Sequence, residues 1–222
     1  MAPTSTAPRD SLRVGRVAEL TLRGWSGAVR GQVTWPSGAA GAAEPPPLLL
    51  CFPDAGDRTG RLARALCAAG DVVVLEIGLR TPPHEPSPAG FHDAVAALEW
   101  AADHGAELDA DPARLAVAGD RTGGAVAGAM ALHARDNWWP AVERQLLVHP
   151  VIDAWHPSVP YVSSLCSVPV AGVAPATVVS GGAPRDGGRR YSARLRRAGV
   201  EVDELRDDAE LPVDLARALR GA

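Results

Sequence analysis

The segment Leu115-Ala-Val-Ala-Gly-Asp-Arg-Thr-Gly-Gly-Ala125 decides the fold, because it leads from an apolar strand through a glycine-framed turn into a helix. This order is typical of a nucleophile elbow, the Gly-x-Ser-x-Gly turn whose strained backbone exposes its central side chain above a sheet. Gly119 and Gly123 supply the frame, but the central position holds Arg121. A guanidinium cannot attack an acyl carbon, because it stays protonated and only donates hydrogen bonds.

Outward from this segment, short apolar strands alternate with helices. Such continuously apolar runs are typical of parallel strands buried on both faces. The pattern predicts strands over residues 48–52, 72–77, 115–118, 145–149, 176–180 and 202–205, and helices over 60–69, 90–104, 124–135, 189–198 and 212–219. Two alternating segments, 14–22 and 29–35, predict an antiparallel hairpin that precedes them. The fold class is therefore α/β, with a mainly parallel sheet flanked by helices.

Length and composition set further bounds. The 222 residues fit one domain over residues 11–222, after a polar stretch, 1–10, that we expect to be disordered. A net charge of -4 argues against a nucleic-acid partner. No leader and no run of about 20 apolar residues is found, so we expect no membrane partner and a cytoplasmic protein. The three cysteines lack metal-ligand or redox spacing, so we expect no metal and no cofactor.

Motifs on both sides of the turn carry a family resemblance. Arg80-Thr-Pro-Pro-His-Glu-Pro-Ser-Pro88 resembles the Arg-Leu-Ala-Pro-Glu-His-Pro-Phe-Pro segment of the hormone-sensitive-lipase-type bacterial esterases, with the Glu-His pair inverted. Residues 92–100, 109–120, 146–153 and 191–200 follow the same family's register, and the likeness covers about residues 14–219. The resemblance implies the α/β-hydrolase fold. The cap insertion, at about 154–175, is short and rich in proline, which predicts a reduced cap.

The resemblance also locates the positions of the family's catalytic groups. Arg121 stands at the serine position, the acid position falls near Gly182, and the histidine position falls near Pro212. No histidine follows His156, and the oxyanion loop, His-Gly-Gly-Gly in the family, begins here with Pro53-Asp54. Because four features differ together, we expect the serine-hydrolase mechanism to be absent and the chain to be a pseudoenzyme.

Several polar residues are candidates for a pocket above the turn. They are Asp54, Asp57, Arg121, Thr122, His149, Asp153 and His156. Arg121 either binds an anionic or carbonyl-bearing ligand with Asp54 or Asp57 as partner, or pairs with Asp54 and fills the cavity, or reaches solvent from a refolded turn. His149 and His156 either transfer protons or are packed or exposed without a role.

Three functions remain open at this point. The first is a non-hydrolytic homologue in a bacterial biosynthetic pathway of secondary metabolism, which binds a small molecule or catalyses a cyclisation, elimination or isomerisation. The second is an inactive scaffold or subunit, with a homo-dimer or a protein partner. The third is an esterase-like hydrolase with an atypical site. The first is the main prediction, because the missing triad argues against hydrolysis.

Overall fold

The computed structural model describes residues 14–25, 27–39, 43–54, 60–80, 89–152, 165–181, 187–206 and 211–220. The strands are β1 (Val14–Gly24), β2 (Gly27–Pro36), β3 (Pro47–Phe52), β4 (Val73–Ile77), β5 (Asp111–Asp120), β6 (Arg144–Val148), β7 (Ala176–Ser180) and β8 (Val202–Arg206). The helices are α1 (Arg61–Gly70), α2 (Ala89–His104), α3 (Thr122–Asn137), α4 (Gly187–Arg197) and α5 (Leu211–Arg220), with a 3-10 turn (Gly105–Leu108) after α2.

These strands form one eight-stranded sheet in the order β1-β2-β4-β3-β5-β6-β7-β8. β1 pairs with β2, and β2 with β4, in antiparallel fashion, whereas β3 to β8 are parallel to their neighbours. The predicted hairpin and the mainly parallel α/β sheet are therefore confirmed. Because the carboxyl ends of parallel strands meet at one edge, the residues that follow β3, β5, β6 and β7 are brought together there.

Helices cover both faces of the sheet. Side chains of α2, α3 and α4 pack into one apolar cluster, and those of α1 and α5 pack into the other. Along β3, Leu48 and Leu50 belong to the first cluster, whereas Leu49 and Cys51 belong to the second. This burial on both faces explains why the central strands read as continuous apolar runs rather than alternating ones.

The predicted cap lies mostly beyond the described residues. The proposed disordered stretch, 1–10, and residues 153–164 of the cap region are outside the described ranges, so the domain boundaries stay predictions. Residues 165–175 form turns without a helix or strand. Arg135 anchors this segment by donating to the carbonyl oxygens of Pro169 and Ala171, at 2.7 and 2.9 Å. No helix in the described part of the chain is long and apolar enough to span a membrane.

Candidate functional site

The backbone keeps the strained turn between β5 and α3. Arg121 has φ 51° and ψ -109°, a conformation that residues with a Cβ rarely adopt. Its N–H donates to the carbonyl oxygen of Val148 at 2.8 Å, and its own carbonyl accepts from Val151 at 3.0 Å. The turn is thus tied to the end of β6 and to the loop beyond it, so the side chain at position 121 leaves the sheet at its carboxyl edge.

Close backbone contacts explain the glycine frame. A Cβ at position 119 would lie 2.2 Å from the carbonyl oxygen of Gly123, and one at position 123 would lie 1.9 Å from that of Phe52. Both distances are far below van der Waals contact, and in each case the obstacle is backbone. The glycines therefore allow β5, the first turn of α3 and the end of β3 to pack against one another.

A carboxylate from the end of β3 contacts the turn. Asp54 Oδ2 lies 3.5 Å from Arg121 Nε, and Asp54 Oδ1 accepts a long hydrogen bond of 3.4 Å from the backbone N–H of Thr122. The Arg121 side chain is 61% exposed and that of Asp54 is 26% exposed. The two carboxylate oxygens thus engage the guanidinium and the first amide of α3, but at distances that make both contacts weak.

A second pair of polar groups lies beside this contact. Asp120 is half-buried, and burial raises the pKa of its carboxyl, with attraction to His149 opposing this effect and repulsion from Asp54 adding to it. His149 has φ 44°, and its N–H donates to the carbonyl oxygen of Val179 at 2.9 Å. Its Nδ1 lies 3.8 Å from the position that a Cβ on Gly181 would take, which places the imidazole by the end of β7.

Sequence reasoning missed Asp120 as a member of this cluster. Asp120 pairs with Val148 across β5 and β6, so the residue after Val148 lies beside the turn. The signal was present, because both Asp120 and His149 stand at the carboxyl ends of strands predicted to be parallel.

The predicted site residues divide into two groups. Four of them, Asp54, Arg121, Thr122 and His149, lie at the carboxyl edge of the sheet, and the first three contact one another. The other predicted positions, Asp57, Asp153, His156 and Gly182, lie outside the described residues. Pro212 lies in the first turn of α5.

Cysteine thiols and metal-ligating side chains are the other groups that could support chemistry. Burial raises the pKa of Cys67 to about 12, so its thiol is unreactive at neutral pH. Cys51 is also buried, whereas Cys166 is exposed and donates to the carbonyl oxygen of Ile152 at 3.1 Å. Within the described ranges, no group of three or more acidic, histidine or cysteine side chains is arranged to hold a metal ion.

Comparison with known proteins gives matches to esterases. Residues 53–160 match a family model described as an α/β-hydrolase fold. The chain is 34% identical over 164 residues to the esterase LipI of Mycobacterium tuberculosis, a match that covers 71% of this chain and 51% of LipI. It is 31% identical over 233 residues to the carboxylic ester hydrolase LipN of the same species, covering 84% of this chain and 61% of LipN.

A solved structure gives a similar result. A thermostable esterase from Pseudomonas putida superposes with a TM-score of 0.80 at 26% identity, covering 96% of this chain and 82% of that one. The matches with LipI and LipN span about half and three fifths of those relatives' lengths.

These relatives contradict the main functional prediction. The expected non-hydrolytic homologue, with its cyclisation, elimination or isomerisation, and the designation as a pseudoenzyme with a missing triad both conflict with relatives named as esterases. Arg121 does stand at the serine position. The error lies in the step from the four departures, at the serine, acid and histidine positions and in the oxyanion loop, to the loss of hydrolysis, because ester cleavage needs an activated nucleophile but not a serine.

Three observations support the α/β-hydrolase fold that the family resemblance implies. They are the strand order, the retained turn at Arg121 and the match over residues 53–160. The chain therefore has the α/β-hydrolase fold, as its resemblance to the hormone-sensitive-lipase-type esterases predicted.

Proposed function

We propose that this chain hydrolyses carboxylic esters at an atypical site, with water as the nucleophile in place of serine. The observation that carries the proposal is the strained turn at Arg121, which is kept although its central residue cannot be a nucleophile. Strain of this kind costs about 1–3 kcal/mol and persists where the surrounding structure enforces it. The naming of LipI and LipN as ester hydrolases supports the reaction class.

His149 is the proposed general base. It lies at the carboxyl end of β6, and its attraction to Asp120 opposes the burial effect on that carboxyl's pKa. A neutral imidazole has a ring nitrogen that can accept a proton from water. Asp120, once ionised, stabilises the imidazolium that forms, so the pair supplies both the base and its orienting acid.

Arg121 and the backbone N–H of Thr122 are the proposed donors to the ester's carbonyl oxygen. Both groups already contact the Asp54 carboxylate, each through a different oxygen, which supports their acting together on one bound group. Donors fixed before the reaction stabilise the negative charge that develops on this oxygen, and they lose little in reorganisation. The guanidinium thereby takes over part of the work that a backbone oxyanion loop does in the family.

The steps balance without a covalent intermediate. His149 takes a proton from water as the water oxygen bonds to the carbonyl carbon, and the carbonyl oxygen becomes anionic between Arg121 and Thr122. When this tetrahedral species collapses, the bond from carbon to the alkoxy oxygen breaks. The imidazolium then returns its proton to the departing alkoxide, so ester and water give an acid and an alcohol.

Hydrolysis of p-nitrophenyl acetate and butyrate tests the proposal. We expect His149→Gln to lower kcat/KM by about 100-fold or more, and Arg121→Gln to lower it by about 10- to 100-fold. Asp111→Asn is the matched control, since Asp111 also pairs with an arginine but lies at the other end of β5, about 30 Å away at 3.3 Å per residue. Wild-type rates no higher than buffer, or equal rates in all three variants, would refute the proposal.

A further inference from the structure

We infer that Asp54 is a displaceable internal ligand of the site and that small carboxylates bind in its place. This inference rests on the proposed function, because the acid released by ester hydrolysis is itself a carboxylate. It adds a regulatory property to that function. In the free protein the Asp54 side chain partly blocks the site, and the carboxylate product competes with it for the same donors.

The geometry of Asp54 supports this role. Each of its two carboxylate oxygens faces a different donor, Arg121 Nε at 3.5 Å and the Thr122 N–H at 3.4 Å. A carboxylate that binds two donors with two oxygens is the arrangement that a free carboxylic acid anion would also adopt. Asp54 thus occupies the two donors as a bound carboxylate ligand would, although it is part of the chain.

The length of these contacts makes the carboxylate easy to displace. Charge-assisted hydrogen bonds in proteins usually measure about 2.7–2.9 Å, and both contacts are longer than that. The guanidinium is also 61% exposed, so solvent screens its attraction to Asp54. An exposed ion pair of this kind favours the paired state over the separated one by a factor of about five at most.

The surrounding charges explain why displacement matters. Arg121 is positive, whereas Asp54 and Asp120 are both acidic, and repulsion between them contributes to the raised pKa of Asp120. A second carboxylate that entered beside Asp54 would meet a site already rich in negative charge. The anion therefore binds only when Asp54 leaves, and removal of the Asp54 charge should strengthen its binding.

The guanidinium has capacity for such a ligand. Among the residues that the structure describes, the one ion pair of Arg121 runs through Nε to Asp54. The planar fork of an arginine binds a carboxylate through two nitrogens at once, and the exposed side chain makes that fork accessible. Small monocarboxylates such as acetate and butyrate fit this site, because they are the acids that short esters release.

Binding of acetate and butyrate can be measured without catalysis. Titration of each acid, at constant ionic strength with chloride as the reference anion, is followed by the backbone amide signal of Thr122 in nitrogen-edited NMR spectra. We expect Asp54→Asn to bind both acids about fivefold more tightly than the wild type, and Arg121→Gln to lose the binding. Asp111→Asn, whose carboxylate is 30% exposed and pairs with Arg114, should match the wild type.

The outcomes separate this inference from the proposed function. Equal or weaker binding in Asp54→Asn would overturn it, as would an equal gain in Asp111→Asn, which would indicate a general effect of net charge. Carboxylate binding with the expected variant pattern but no ester turnover would refute the hydrolase proposal and keep the inference. Ester turnover without carboxylate binding would do the reverse.

Discussion

Replacing Arg121 with glycine should stabilise the protein relative to replacing it with alanine, because glycine alone adopts the turn without strain. Both variants lose the ion pair with Asp54, which is worth about 0–1 kcal/mol at this exposure, so that loss cancels in the comparison. A residue with a Cβ at φ 51° and ψ -109° carries about 1–3 kcal/mol of strain. Glycine gives back about 0.5–1 kcal/mol through the greater entropy of the unfolded chain. The expected net advantage of glycine is about 1 kcal/mol.

Urea unfolding at equilibrium, followed by circular dichroism, measures this difference. With a slope of about 2 kcal/mol per molar urea, the midpoint for Arg121→Gly should lie about 0.5 M above that for Arg121→Ala. Equal slopes in the two variants are the control, since they show that both unfold from the same state. An alanine variant as stable as the glycine variant, or more so, would refute the claim that this turn is strained.

Three further perturbations test the packing and charges around the site. Gly123→Ala should lower the free energy of unfolding by more than about 4 kcal/mol or prevent folding, because its Cβ would lie 1.9 Å from a backbone oxygen. Gly128→Ala in the same helix should be tolerated, because its Cβ would meet a side-chain methyl at 3.3 Å. Thermal unfolding of the two variants checks this difference. Arg80→Met should lower the free energy of unfolding by about 3–5 kcal/mol, because it leaves the fully buried Asp93 carboxylate without its bidentate partner, whose nitrogens lie at 2.7 and 2.5 Å. A double variant that also replaces Asp93 with leucine should recover much of that loss, as measured by urea unfolding. Burial raises the pKa of Asp120 above 3.8, so the stability linked to its protonation is fully present below pH 3.8 and is lost as the pH rises through the folded-state pKa. Asp120→Asn should therefore flatten the pH dependence of the free energy of unfolding at pH values above 3.8, and an unchanged profile would contradict the pKa shift.

The sheet could be predicted from the sequence because its strands are buried on both faces. The strand predicted over residues 176–180 has the same bounds as β7, whose residues up to Val179 are all buried. β5 begins at Asp111, four residues before the predicted start, and these first four residues are half-buried or exposed rather than buried. Apolar patterning finds the buried part of a strand but not a less buried extension at its start.

The candidate site was predictable in part. The glycine frame and Arg121 can be read from one continuous segment, because local backbone geometry requires them. The contact of Asp54 with Thr122 depends on the path of the chain after β3, and the approach of His149 to Asp120 depends on the register of β5 against β6. Neither contact can be read from spacing along the chain, so the sequence alone predicts that such residues share a pocket but not which of them pair.

The functional prediction failed at a different step. Four departures from the family's motifs, of which Arg121 at the serine position is one, predict the loss of hydrolysis, and relatives named as esterases contradict that prediction. In the proposed function, His149 is the base, Asp120 the orienting acid, and Arg121 and the Thr122 N–H the donors at this edge of the sheet. Under this proposal the nucleophile is water, which a search for a nucleophilic side chain does not detect.

Mass spectrometry of the intact protein during turnover tests the central proposal most directly. The purified chain is mixed with p-nitrophenyl butyrate and quenched in acid within the first turnovers, while the release of p-nitrophenol is followed in parallel. Attack by water predicts steady release of p-nitrophenol from the first turnover and a protein mass unchanged throughout. A stoichiometric burst with a butyryl adduct on the protein, or no release above buffer, would contradict it.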